Sequence, residues 1–213
     1  MYQLTKKDGM RVIAIIDYDA GNLRSVEKAL TALGEKPVIT SDSHEILSAD
    51  KVILPGVGSF GDAMGRLHQY GLVDVIRQVA DQGTPFLGIC LGLQLMFESS
   101  EESVGVEGLG LLRGTIKKIP DCPGLKIPHM GWNSLDITPG ARLFQGVEQG
   151  AYVYFVHSYY LEAEDEKIVA ASTQYSTRIH ASVESGNVFA CQFHPEKSSS
   201  VGLQILKNFI EIN

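Results

Sequence analysis

A cysteine between two glycines follows a short apolar segment and precedes a segment of helical period. The run Gly88-Ile89-Cys90-Leu91-Gly92 comes after residues 85–87 and opens a predicted helix over residues 91–98. This is the pattern of a nucleophile elbow, a strained strand-to-helix turn in which flanking glycines prevent crowding. The thiolate is the attacking species, and a helix N-terminus favours negative charge. We therefore predict that Cys90 is a nucleophile, with a buried structural cysteine as the alternative.

Two further polar residues follow an apolar segment near the end of the chain. His194 and Glu196 stand two apart, on either side of Pro195. Residues i and i+2 of an extended chain share a face, and the proline favours an extended conformation of His194. A cysteine nucleophile requires a general base whose imidazole is oriented by a carboxylate. We therefore predict a Cys90-His194-Glu196 triad, with Cys191 on the opposite face as a core residue.

A glycine-rich segment admits two interpretations. Residues 56–61 match G-x-G-x-x-G between a predicted strand and a predicted helix, as in a dinucleotide site. The acidic residue that such a site needs about 20 residues later would be Asp81, which falls at the end of a predicted helix instead of a strand. Small residues at 55–58 would also let backbone N–H groups approach a developing oxyanion. We favour the oxyanion strand and keep the dinucleotide site as the alternative.

Several other residues are candidates for contacts. Gln94 comes four residues after Cys90 and is expected on the same helix face, where its amide could bind a polar substrate. The single tryptophan, Trp132, lies in a predicted turn at residues 128–133, a setting in which large aromatic residues mark contact surfaces. His129 and His157 lie between aromatic residues, and we expect them to make contacts instead of acting as bases.

Composition excludes several function classes. The chain has 213 residues, a net charge of −7 and a pI near 5.3, so it presents no positive field for nucleic acid. Its apolar runs are far shorter than the roughly 20 residues that cross a bilayer, and we find no signal peptide, so we expect a cytoplasmic protein without membrane association. Three widely spaced cysteines argue against disulfides and zinc. We expect no metal and no cofactor.

The first half of the chain alternates apolar segments with helical periods, which predicts β-α-β order. Strands are predicted over residues 11–17, 36–40, 51–54 and 85–89, and helices over residues 22–33, 60–69 and 72–81. This order is typical of a doubly wound parallel sheet.

In the second half, strands follow strands. They are predicted over residues 114–119, 134–138, 151–157, 168–172, 179–184 and 188–193, before an amphipathic helix over 198–212. The last two strands are predicted to form a hairpin around Gly186 and Asn187. We expect a single α/β domain over residues 11–213, with a mixed central sheet flanked by helices, and an N-terminal extension over residues 1–10.

Taken together, these motifs resemble those of the class I glutamine amidotransferases, and most closely those of the glutaminase subunits of imidazole glycerol phosphate synthases. The resemblance covers about residues 11–212 and rests on residues 16–18, 21–26, 54–60, 88–96, 128–133, 155–159 and 194–198. It implies a flavodoxin-like domain. Asp19-Ala20 departs from the family pattern, and so does the ten-residue leader, but neither touches the triad.

The resemblance also implies a substrate, a partner and further site residues. Cys90 would attack the side-chain amide of glutamine, His194 would protonate the leaving ammonia, and water would cleave the thioester. Ammonia would then pass to a cyclase subunit, a (β/α)₈ barrel of histidine biosynthesis that pairs with this chain as a heterodimer. The implied residues are Val57, Gly58 and Leu91 at the oxyanion, Gln94, Ser158 and Tyr159 at glutamine, and Asn22, His129, Trp132, Tyr154 and Lys197 at the partner interface.

Two other functions remain open on the sequence. The class shares its triad, so a neighbouring amidotransferase such as the glutaminase of pyridoxal phosphate synthase is one alternative. A nonenzymatic dinucleotide-binding module, suggested by residues 56–61, is the other.

Overall fold

The computed structural model describes residues 11–212, so the predicted N-terminal extension lies outside the described residues. The first half contains β1 (Ile13–Ile16), α1 (Leu23–Ala32), β2 (Val38–Thr40), α2 (Ser43–Ser48), β3 (Lys51–Gly56), α3 (Phe60–Gln69), α4 (Leu72–Asp81), β4 (Phe86–Cys90), α5 (Leu91–Leu95) and β5 (Ser99–Ser100). The second half contains β6 (Gly114–Lys118), β7 (His129–Ser134), β8 (Asp136–Ile137), β9 (Tyr152–His157), β10 (Tyr159–Ala163), β11 (Val169–Tyr175), β12 (Thr177–Ser185), β13 (Val188–Cys191) and α6 (Ser199–Glu211). No helix within residues 11–212 has the length and apolar character needed to cross a membrane.

An eight-stranded mixed sheet forms the centre, in the order β2-β1-β3-β4-β13-β12-β11-β8. The five strands from β2 to β13 are parallel, and the remaining pairs are antiparallel. The change of direction follows from connection length, because helices return the chain to the same edge in the first half, whereas a short turn joins β12 to β13. The predicted mixed α/β sheet is confirmed.

Apolar side chains cover both faces of this sheet. Alternate residues of β3 point to opposite sides, so that Val52 and Leu54 join one core cluster and Ile53 joins the other. Helices α2, α3 and α4 cover the first face, and α1 and α6 cover the second. Burial on both faces explains the continuous apolar runs of the central strands.

The structure corrects two expectations. The predicted turn at residues 128–133 is wrong, because Trp132 lies within β7, which pairs with β9 in a separate two-stranded sheet. Pro128, Gly131 and Asn133 are of types that favour turns, but Gly131 is accommodated inside the strand with φ 130°. The helix after Cys90 is also shorter than predicted, since it ends at Leu95 and residues 99–100 then pair with β6.

Candidate active site at the carboxyl ends of three central strands

The ends of three adjacent parallel strands bring the predicted site together. Gly56, the last residue of β3, is the register partner of Cys90, the last residue of β4. On the other side of β4, Cys191 of β13 is the partner of Ile89, so the segment that carries His194 continues from the same edge. Ligands of open α/β sheets bind at the carboxyl ends of their strands, and this is where the candidate site lies.

Cys90 has the strained backbone that the elbow pattern predicts. Its φ of 56° and ψ of −108° fall in a region that residues other than glycine seldom adopt. The glycines are required by contact, because a Cβ on Gly92 would lie 1.8 Å from the Leu54 carbonyl oxygen and one on Gly88 would lie 2.7 Å from the Gly92 oxygen. Neighbouring backbone therefore holds the elbow at the edge of the sheet.

His194 and Glu196 form a buried hydrogen-bonded pair. The Nδ1 atom of His194 lies 2.8 Å from Glu196 Oε1, and their side chains are 1% and 0% exposed. Although we expected an extended chain here, residues Pro195–Lys197 form a 3₁₀ turn with His194 extended before it. The pair therefore forms across a turn, and its bond leaves Nε2 as the ring nitrogen available for the thiol.

The site favours a protonated imidazole beside an ionised carboxylate. Burial acts to lower the pKa of His194, but the adjacent Cys90 side chain and the Glu196 carboxylate raise it to about 9. Burial acts to raise the pKa of Glu196, but its bonds with His194 and Asn22 lower it overall. His194 Nε2 is buried and makes no hydrogen bond of good geometry within residues 11–212. A base that holds a proton readily and has an unused nitrogen is equipped for proton transfer.

A cavity of about 430 Å³ opens onto this group. Its lining includes Cys90 and His194 together with every residue expected at the oxyanion or at glutamine, which are Val57, Gly58, Leu91, Gln94, Ser158 and Tyr159. The glycine-rich segment thus borders the nucleophile, which favours the oxyanion interpretation over the dinucleotide site. The volume suits a substrate of amino-acid size.

The segment predicted to stabilise an oxyanion is held at its start by a hydrogen bond, and its continuation borders open space. The buried Tyr18 hydroxyl donates to the Pro55 carbonyl at 2.9 Å, and a Cβ on Gly56 would lie 2.5 Å from the same hydroxyl. Burial raises the pKa of Tyr18, so it remains a donor at neutral pH. Gly58, by contrast, has φ 101° and open space where a Cβ would be. Of these two glycines, Gly58 is the one that lines the cavity.

Two buried histidines contact each other at the cavity, and His157 is part of its lining. His157 Nδ1 lies 2.9 Å from the Tyr159 carbonyl, which only accepts, so His157 Nε2 accepts in turn from His129 Nδ1 at 3.0 Å. Asn133 Nδ2 completes the chain at 3.3 Å from His129 Nε2. Burial lowers the pKa of His157 to about 3 and that of His129 to about 4. Both rings are therefore neutral, and they brace the cavity wall.

The residues expected at a partner interface occupy different environments. Trp132 is 52% exposed and packs edge-to-face on Tyr154. Lys197 is exposed and follows Glu196 directly in the sequence. Asn22 instead donates to Glu196, and His129 is 3% exposed and stacks on Tyr175. Two further exposed apolar residues, Met130 and Tyr152, lie on the same two-stranded sheet.

Gln192 is a site residue that the sequence analysis missed. Its amide nitrogen lies 3.8 Å from Cys90 Sγ, and its amide oxygen accepts from Gln94 Nε2 at 3.0 Å. The signal was the spacing, because Gln192 stands two residues before His194 in a segment expected to be extended.

Comparisons with known proteins agree with this geometry. The sequence profile of the family "Glutamine amidotransferase class-I" matches residues 14–212. "Imidazole glycerol phosphate synthase subunit HisH" of Moorella thermoacetica is 53% identical over 95% of this chain and 96% of its own, and the protein of that name from Methanocaldococcus jannaschii is 48% identical over 94% and 100%. A crystal structure of a glutamine amidotransferase superposes with a TM-score of 0.73 at 18% identity, over 93% of this chain and 97% of the other, and shows a shared fold. The chain belongs to the class-I glutamine amidotransferase family and, within it, to the HisH subunits of imidazole glycerol phosphate synthase.

Proposed function

We propose that this protein hydrolyses the side-chain amide of glutamine through Cys90, His194 and Glu196, as the glutaminase subunit of an imidazole glycerol phosphate synthase. The observation that carries the proposal is the buried His194-Glu196 pair beside a cysteine held at a strained elbow. Family membership supports glutamine as the substrate.

The geometry supports a sequence of two acyl transfers. Because the imidazole is protonated, the Cys90 proton already resides on His194 Nε2, so the thiolate attacks the amide carbon and the carbonyl oxygen becomes an oxyanion. His194 returns the proton to the leaving nitrogen, so that the C–N bond breaks and ammonia leaves a glutamyl thioester on Sγ. Water, deprotonated by His194, then breaks the C–S bond and yields glutamate and the free thiol. Glu196 holds the imidazole in one orientation throughout.

The lining of the cavity supplies the other roles. We assign the backbone N–H groups of Gly58 and Leu91 to the oxyanion because both residues line the cavity, and each such donor is typically worth about 3 kcal/mol. Gln94 binds substrate through its amide oxygen, because its amide nitrogen already donates to the Tyr159 carbonyl and to Gln192. Ser158 and the Tyr159 main chain complete the glutamine site.

The ammonia acceptor is a cyclase subunit with a (β/α)₈ barrel, joined to this chain as a heterodimer. The surface that supports this pairing is the exposed apolar group of Met130, Trp132 and Tyr152 on β7 and β9, because exposed aromatic clusters mark contact sites. Tyr154 and Lys197 extend this surface. Asn22 and His129 instead contact residues of the site, which are Glu196 and His157 respectively. A cytoplasmic location stays a prediction.

The test is glutamate release from glutamine by the purified chain, alone and with the cyclase subunit and its ribonucleotide substrate. Cys90→Ala should abolish release, whereas Cys122→Ala, which changes a partly exposed cysteine outside the cavity, should retain it. Release of glutamate by the Cys90→Ala protein would refute the nucleophile. Absence of release from the wild type in every mixture would refute the substrate.

A further inference from the structure

A buried glutamine outside the predicted triad contacts the reactive sulfur. Gln192 is 0% exposed and follows β13 directly, and its amide nitrogen lies 3.8 Å from Cys90 Sγ. It does not line the cavity, so it can act on the nucleophile without touching the substrate. A buried amide is retained only where its hydrogen bonds are made, because an unpaired polar group is costly.

The orientation of this amide is determined by a main-chain carbonyl. The Tyr159 oxygen can only accept, and Gln94 Nε2 lies 3.0 Å from it, so Gln94 must direct its NH₂ group to that side. The same nitrogen lies 3.0 Å from the Gln192 side chain, which must therefore present its oxygen. The NH₂ group of Gln192 is consequently the end that faces Cys90.

We propose that Gln192 donates an N–H hydrogen bond to the Cys90 sulfur and stabilises its thiolate, in an orientation set by Gln94 and the Tyr159 carbonyl. Amide donors bind a charged acceptor more strongly than a neutral one, so the contact favours the attacking form. The inference rests on the proposed function of Cys90. The Gln192 amide is a second hydrogen-bond donor to the thiolate, in addition to the protonated His194 imidazole.

Other groups near the sulfur act alongside this amide. His194, Tyr18 and Cys191 interact electrostatically with Cys90, and Glu196 acts on both His194 and Cys191. The Gln192 variants retain all four of these side chains, so comparison with the wild type measures the loss of the amide.

The test measures thiolate reactivity without using glutamine. Iodoacetamide alkylation of Cys90, located by peptide mass spectrometry, is followed against pH in the wild type, Gln192→Leu and Gln192→Glu. Loss of the donor in Gln192→Leu should slow alkylation at pH 7 about tenfold and move the profile to higher pH. Gln192→Glu, which keeps an acceptor for Gln94 but places an anion near the sulfur, should slow it at least as much. In glutamine hydrolysis by Gln192→Glu, which keeps the acceptor for Gln94, kcat should fall with little change in KM, because position 192 lies outside the cavity.

A buried amide elsewhere provides the matched control. Asn208 donates to the Leu143 and Gln145 carbonyls away from the cavity, so Asn208→Leu should lower the melting temperature and leave the alkylation profile unchanged. If Gln192→Leu does not fold, Gln192→Glu carries the test. A wild-type alkylation profile in a folded Gln192 variant overturns the inference while the proposed function stands. Failure of the wild type to hydrolyse glutamine refutes the proposed function instead, whatever the alkylation profiles show.

Discussion

Asn22 Nδ2 and His194 Nδ1 share one oxygen of the buried Glu196 carboxylate, at 2.7 Å and 2.8 Å from Oε1. Asn22 is the N-cap residue that precedes α1, and its backbone is left-handed with φ 77°. The first strand-to-helix loop is therefore tied to the carboxylate that orients the base. An amide donor at this position favours the ionised carboxylate and limits its rotation.

Removal of the Asn22 side chain should impair catalysis. Asn22→Gly keeps the left-handed backbone and deletes the donor, so kcat should fall roughly tenfold, or about 1.4 kcal/mol in transition-state stabilisation. Steady-state glutamate release measures this. Ser176→Gly, another residue with positive φ but away from the cavity, is the control and should keep wild-type kcat. A variant at position 22 with normal kcat and weakened partner binding would assign Asn22 to the interface alone.

Two glycines in helices should respond oppositely to alanine. Gly92→Ala places a Cβ 1.8 Å from the Leu54 oxygen and should unfold the elbow or the whole domain. Gly65→Ala, on the exposed face of α3 with nothing within 4 Å, should raise the free energy of unfolding by about 1 kcal/mol. Urea unfolding of both variants checks the contrast. Equal stability of the two proteins would contradict the packing described at the elbow.

The buried histidine pair should make the fold sensitive to acid. The pKa values of His129 and His157 are lowered in the folded chain to about 4 and about 3, so below pH 6.5 the unfolded chain binds more protons. Stability from these rings is present above pH 6.5 and is lost as the pH falls towards 3. Each ring contributes at most about 1.4 kcal/mol per pH unit to the slope.

His129→Phe isolates part of this effect. The new ring can keep the stack on Tyr175 but binds no proton, so the free energy of unfolding between pH 6.5 and pH 4.5 should fall less steeply than in the wild type. Tyr175→Phe preserves the stack and controls for general destabilisation. Unfolding curves that run parallel for the wild type and His129→Phe would rule out this histidine as a source of acid sensitivity.

The exposed tryptophan should matter for assembly and little for the fold. Trp132→Ala should weaken binding of the cyclase subunit by about 2 kcal/mol, roughly 30-fold, and leave the melting temperature within a few degrees of wild type. Titration calorimetry against the cyclase subunit measures the loss. Val104→Ala, at a 91% exposed apolar residue in a loop, is the control and should bind normally. Unchanged affinity of Trp132→Ala would move the interface elsewhere.

Sequence patterns predicted the parts of the fold that repeat regularly. The alternation of buried strands and amphipathic helices up to β4 followed from period alone. The short helix α2 was missed, although Asp42 accepts from the Glu45 N–H at 2.9 Å and these two residues are a readable capping signal. Strand β10 was missed because Ser158 separates it from β9 by a single residue.

The site was predicted where a motif carried it and missed where distant segments meet. Spacing placed His194 with Glu196, but no local pattern links Asn22 to a carboxylate 174 residues later, or Gln94 to Gln192. Those contacts depend on strand order, which a single sequence does not state. The orientation of each amide depends further on one carbonyl, Tyr159, whose position follows from β10.

Strand β13 lies between β4 and β12 although it is the last described strand to leave the ribosome. Its register with β4 joins Ala190 to Gly88 across about a hundred residues, so loop closure for this pair is among the costliest in the domain. A nascent chain that ends before residue 188 has the cysteine but neither the imidazole nor the carboxylate. Glutaminase chemistry therefore begins only when synthesis is almost finished, and truncated products should release no ammonia in the cell.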